Sequence, residues 1–203
     1  MDIQAGDIFI NNTSNIAGNL TGAGTLIWNN GTSQGTLNVG AGSTVEISGG
    51  THTLVNGITY NGLGNVVWDT STISLGGFDL TFNTPTMITG GTSSANGTGN
   101  IIHTNASGTS VIDASEINLN SVTFENAAGA ILIADTPLVA DEIFIDQDLI
   151  GGSTFRNLGT ITKTGLGELE FFSGAVLTFD NSGVLDVQAG QVFVDNTSIL
   201  NGS

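Results

Sequence analysis

Short strands closed by glycine recur along this chain, and they limit what it can fold into more than any other feature. "TGAGTLIW" (21–28), "NGLGNVVW" (61–68), "NGTGNIIH" (96–103) and "TGLGELEF" (164–171) share one pattern. It reads Thr or Asn, Gly, any, Gly, any, aliphatic, any, then a ring; a worn copy, "NAAGAILI" (126–133), lies between the last two. The copies start 40, 35, 30 and 38 residues apart. A near-regular period of this size marks stacked units, because one strand–turn unit cannot bury its apolar side without a neighbour.

Two further families interleave with the first. "GTLNVGAGSTVEI" (35–47) resembles "GVLDVQAGQVFV" (183–194) and "DIQAGDIFI" (2–10). "FRNLGTI" (155–161) and "FDNSGVL" (179–185) lie 24 residues apart. Within a unit the side chains alternate: Leu37 and Val39 point one way, Thr36 and Asn38 the other, as in a half-buried strand. No segment keeps apolar residues at i, i+3 and i+4; even 111–124, with Ile117, Leu119 and Val122, fits strands better. The fold class is therefore all-β. Units of about 20–24 residues predict a parallel β-helix, or β-solenoid, forming a single segment over 1–203. Corners between short strands need positive φ, which glycine supplies. Asparagine serves some corners too, and Asn157 and Asn181 are expected to hydrogen-bond from coil to coil as a ladder. Lys163 is expected to lay its stem over a coil edge with its amine in water.

The stretch 155–190, with "ITKTGLGELEF" followed by "FDNSGVLDVQAG", resembles the repeats of large bacterial surface and secreted proteins. Autotransporter passengers and filamentous-haemagglutinin-like adhesins are the families in question. The likeness is tight over about 50 residues; the middle of the chain, 70–150, departs from it. It implies a β-solenoid outside the cell or on a bacterial cell surface, in a scaffolding or adhesive role, and it brings no catalytic residues.

Charge excludes some partners. Charged residues are only 10% of the chain, and 2 cations against 18 acids give −16. Nucleic acid needs a Lys/Arg patch that Arg156 and Lys163 cannot make, and an anionic membrane surface is excluded likewise. No apolar run has the length of about 20 needed for membrane insertion as a helix. The first residues lack a secretion-signal profile, so the expected reading is a piece of a longer exported array, with a subunit that polymerises end to end as the alternative. The absence of cysteine removes disulfides and thiolate metal sites.

Acids cluster at Asp135, Asp141, Glu142, Asp146 and Asp148. They are read as a solvated acidic face, with Asp141, Glu142, Asp146 and Asp148 as candidate Ca²⁺ ligands. No other cofactor is expected, and with so few cations catalysis is not expected either. His52 and His103 are placed at strand edges. Trp28 and Trp68 are assigned to packing, with sugar stacking as the alternative. Thr-any-Thr pairs at 51–53, 160–162 and 162–164 raise an ice-binding alternative. Asn-any-Ser/Thr triplets, from Asn11 to Asn201, are as many as this composition produces by chance.

The expected function is a structural or adhesive, filament-forming solenoid, with a binding module for polysaccharide, calcium or ice as the alternative. Residues 2–19 and 186–203 align without a gap, so both ends are expected at one phase of the repeat, giving end-to-end self-association through the terminal coils.

Overall fold

A computed structural model describes residues 1–11, 17–107, 110–147, 151–172, 177–195 and 197–202. Among them are 23 strands and no helix, and the strands stack in parallel as a β-solenoid of about 8 turns. Each full turn has three faces. The first face rises from Asp7–Ile10 through Thr25–Trp28, Thr44–Ser48 and Asn65–Asp69 to Val184–Val187. The second carries 31–33, 51–54, Thr72–Ser74 and, higher up, Glu142–Asp146, Glu168–Phe172 and Gln191–Asp195. The third runs from Asp2–Ile3 and Gly18–Gly22 to Ser153–Asn157, Leu177–Asn181 and Thr197–Leu200.

Strand alternation puts every second residue into the lumen, and parallel register lines those residues into columns. On the first face Leu26, Val45 and Val66 make one column, and Trp28, Ile47 and Trp68 the next; all six are buried. On the third face Phe124, Phe155 and Phe179 stack coil on coil, with ring centroids 4.9 Å apart in the lower pair. Phe171, from the second face, closes on Phe179 at 3.9 Å. The interior is one continuous apolar column, and each buried aromatic or aliphatic side chain contributes on the order of 1.5–3 kcal/mol.

The glycine motif is not the coil repeat. Its copies at 21–24, 61–64 and 126–129 turn from the third face to the first. The copy at 96–99 turns from the second face to the third, and that at 164–167 from the first to the second. What they share is a backbone need. Gly62 has φ +113, and a Cβ there would stand 2.3 Å from the Val39 carbonyl oxygen of the coil below; Gly165 has φ +72 and would meet the Thr136 carbonyl at 2.0 Å. The motif is a corner piece used at all three corners, so its 40-residue spacing between Trp28 and Trp68 spans two coils, with Ile47 between them.

The Phe-any-Asn-any-Gly pair behaves differently. Phe155 pairs with Phe179, Asn157 with Asn181 and Ile161 with Leu185, in consecutive coils. One coil step is 19 residues at Asn19–Asn38, 22 at Asn61–Asn83 and 24 at Asn157–Asn181. It lengthens to 31 at Asn126–Asn157. Part of that excess is the loop 136–141, which lies in the stretch where the sequence departs from its own pattern.

The two similar ends do not share a phase. Segment 2–10 passes from the third face to the first, whereas 186–194 passes from the first to the second. The same short pattern suits either pair of faces, because each asks for alternation followed by a glycine corner. Asn12, Thr13, Ser14 and Asn196 of that alignment lie outside the described residues.

Candidate functional site

A polar column stands beside the stacked phenylalanines. On the third face the register sequence Phe82, His103, Asn126, Asn157, Asn181 points inward. Asn157 Nδ2 donates to Asn181 Oδ1 at 2.7 Å and to the Val184 carbonyl at 2.9 Å. Asn126 Nδ2 donates in the same sense to Asn157 Oδ1 at 2.8 Å and to the Thr160 carbonyl at 3.0 Å. The expected ladder is present, and it reaches two coils lower than Asn157, through Asn126 to a histidine. All of these groups are buried, and so each unmade bond would leave a desolvated polar atom.

His103 closes the lower end. Its Nδ1 meets Asn126 Oδ1 at 2.8 Å and its Nε2 meets Ser110 Oγ at 2.7 Å. Ser, His and Asn in a row have the outline of an activated nucleophile. The hydrogen bonds at the serine decide what it is. Ser110 Oγ accepts from the Thr86 backbone N–H at 3.2 Å and from Asn105 Nδ2 at 3.0 Å. Both lone pairs are occupied, so its proton goes to His103 Nε2 and the imidazole donates from Nδ1 to Asn126. A serine with no free lone pair, in a site where Ser110, His103 and Asn126 are all buried, cannot attack a carbonyl. Burial also holds the His103 pKa below the ordinary histidine value, against the opposing hydrogen bond that His103 donates to Asn126.

His52 lies in the lumen as well, edge-on to Trp28 with ring centroids 4.3 Å apart. Its Nε2 meets the Ser48 carbonyl at 3.1 Å and its Nδ1 has no partner. Burial lowers its pKa to about 4. The expected strand-edge positions for the two histidines are thus corrected: both side chains take inward parity. Trp28 and Trp68 are fully buried, so neither presents a ring to a sugar.

Lys163 corrects the largest expectation. Its side chain is buried, not solvated, and its Nζ donates to the carbonyls of Thr164, Gly165 and Ala189. Parity explains this: Ile161 points inward, so Lys163 two residues on must as well. The ammonium has three donors, and the corner offers three carbonyls to take them. Burial lowers its pKa, with the Asp135 carboxylate opposing.

The acids spread along the corner between the first and second faces. Asp113, Asp135, Asp141 and Glu142 line an open cleft of about 400 Å³, walled by the loop 136–141. The Asp113 pKa is raised by burial and by the like charges of Asp135 and Asp141. Of the candidate calcium ligands, Asp141 Oδ2 accepts from the Leu138 N–H at 2.8 Å and Asp146 Oδ1 from the Gln147 N–H at 2.5 Å. Glu142 is exposed at a strand start, and Asp148 lies outside the described residues. No group of three or more acids or histidines comes together around a cation position among the described residues. Arg156 stands in an outward column between Glu125, at 3.5 Å, and Asp180, at 3.3 Å.

The outward threonines sort by face. Thr51 and Thr53 lie on the second face and Thr160, Thr162 and Thr164 on the first, so the expected pairs do not form one array. A different array does form. Thr36/Asn38, Thr59/Asn61 and Thr81/Asn83 occupy matched outward positions in three consecutive coils of the third face. A search for Thr-any-Asn, in place of Thr-any-Thr, would have found it in the sequence.

No protein-family model, curated protein or solved structure matches this chain.

Proposed function

We propose that the chain is a structural or adhesive segment of a bacterial extracellular or cell-surface protein, of the kind found in autotransporter passengers and filamentous-haemagglutinin-like adhesins. The observation that carries this reading is the lumen: aliphatic and aromatic columns fill it, an asparagine ladder joins Asn126, Asn157 and Asn181, and the buried Ser110–His103–Asn126 row is spent on holding coils together. Side chains invested in coil stacking suit a rod that spaces or displays. In this reading the chain is not an enzyme and needs no cofactor. Stacking is also its mode of partnership. Ile8 on the first coil and Val187 on the last have inward parity yet are exposed, and a further coil would cover them.

The test is the size state of the chain against concentration, by light scattering at low and high salt. The expected outcome is end-to-end growth that strengthens as salt screens the −16 charge, and that stops when Ile10 and Phe193 are both replaced by Lys. A chain that stays monomeric at millimolar concentration in high salt would count against it.

The Thr/Asn array on the third face favours a second reading, a binding module for an ordered uncharged surface such as ice or a crystalline polysaccharide. Inhibition of ice recrystallisation, or pelleting with an insoluble glycan, that is lost in Thr59→Lys would favour it over the scaffold.

A further inference from the structure

The outside of the first face carries an apolar ridge. Val67, Met87, Val111 and Ile133 occupy one outward column in four consecutive coils. Met87 is 44% exposed and the other three are half-buried. Pro85 and Ile131 widen the ridge on one side. On the other side, two residues further along each strand, stand Asp69, Thr89, Asp113 and Asp135, and beyond the last two opens the acidic cleft. Neighbouring coils step by about 4.8 Å, so the ridge is on the order of 14 Å long and runs parallel to the solenoid axis.

The occupant can be argued from charge and pitch. Both cations of this chain are already committed: Lys163, whose charge acts on Asp135, is spent on three carbonyls, and Arg156 is held by Glu125 and Asp180, so Asp69 and Asp113 have no cationic partner among the described residues. A second copy would bring the same −16 and, among the described residues, no uncommitted Lys or Arg, so the cations must come from another molecule. The ridge asks for one apolar side chain per coil. An α-helix laid along the axis supplies one per turn, at a pitch of about 5.4 Å against the coil step of about 4.8 Å. Over four coils the mismatch accumulates to under about 2 Å, within the reach of Leu and Met side chains. Basic residues on one flank of that helix would lie over Asp69, Asp113 and Asp135. Burial first, and then the like charges of Asp135 and Asp141, raise the Asp113 pKa, and such a flank would relieve the second.

We propose that the ridge Val67–Met87–Val111–Ile133, with its border of Asp69, Asp113 and Asp135, docks a cationic amphipathic helix of a partner protein. This is independent of the scaffold reading, since a rod can display such a face whether or not it polymerises.

The test uses the full chain and a fluorescent amphipathic peptide about five turns long, with Leu on one face and Lys on its flanks. A scrambled peptide of the same composition, without an apolar face, is the control. Anisotropy titrations are expected to give at least about tenfold tighter binding for the amphipathic peptide, with helix appearing in circular dichroism on binding. Val111→Asp adds negative charge yet is expected to weaken binding about tenfold, because it breaks the ridge; Met87→Ser, milder for folding, should weaken it in the same direction. Asp113→Asn with Asp135→Asn is expected to weaken binding and flatten its salt dependence, and Thr154→Asp, on the third face, to leave it unchanged. Equal binding of the two peptides, unchanged or tighter binding to Val111→Asp, or capture of the peptide as an extended strand would each overturn the proposal.

Discussion

His52 illustrates how one inward residue ties stability to pH. Burial holds its pKa near 4 in the folded chain against an ordinary 6.5, and a proton on Nδ1 would find no acceptor beside Trp28. Above pH 6.5 both folded and unfolded forms are neutral and nothing is lost. As pH falls from 6.5 towards 4 the unfolded chain takes a proton that the folded one refuses, and stability drops by up to about 3 kcal/mol. Asp113 and Glu170 work the other way, since their raised pKa values add stability as pH falls. The difference between wild type and His52→Gln isolates the histidine. Urea unfolding at pH 7 and 4.5 should show the variant gaining on the wild type in acid by about 2–3 kcal/mol; a pH-independent difference would refute the burial argument. Parity would have placed His52 in the lumen from sequence, because Leu54 two residues on is a core residue. Lys163 was equally legible by its spacing from Ile161. What no spacing gives is the carbonyl cage that makes a buried ammonium tolerable, since Ala189 comes from the next coil.

At the scale of the strand, inward and outward positions differ sharply in what they tolerate. Leu37, Val45 and Leu169 are buried as the alternation predicts, while Leu185, in the last coil, is only partly covered. Val45→Asp places an unpaired carboxylate between Leu26 and Val66 and should cost several kcal/mol, on the order of a domain's whole margin. Thr36→Asp, outside on the third face, should cost under about 0.5 kcal/mol. Equal losses in chemical denaturation would mean that the strand parity is wrong. The sequence carries this parity plainly, and it carries the Asn157–Asn181 step because Phe-any-Asn-any-Gly falls in consecutive coils. It misleads over the glycine motif: positive φ is demanded at all three corners, so the motif marks where the chain turns and not which face follows. The binding ridge is hidden for a related reason. Val67, Met87, Val111 and Ile133 are each an ordinary strand residue, and only the register brings them into one line.

Over the whole molecule, coils stack in parallel register along one axis. Distances between outward residues of one column should then grow by a constant step with each coil. Thr36, Thr59, Thr81, Ile102, Glu125, Arg156 and Asp180 form such a column on the third face. Spin labels at Thr36 and Glu125, four coils apart, and at Thr36 and Asp180, six apart, can be measured by pulsed electron–electron resonance. The stack predicts about 19 Å and about 29 Å, in the ratio of the coil counts. Distances that fail to grow with coil number, or a longer separation for the nearer pair, would contradict the solenoid itself.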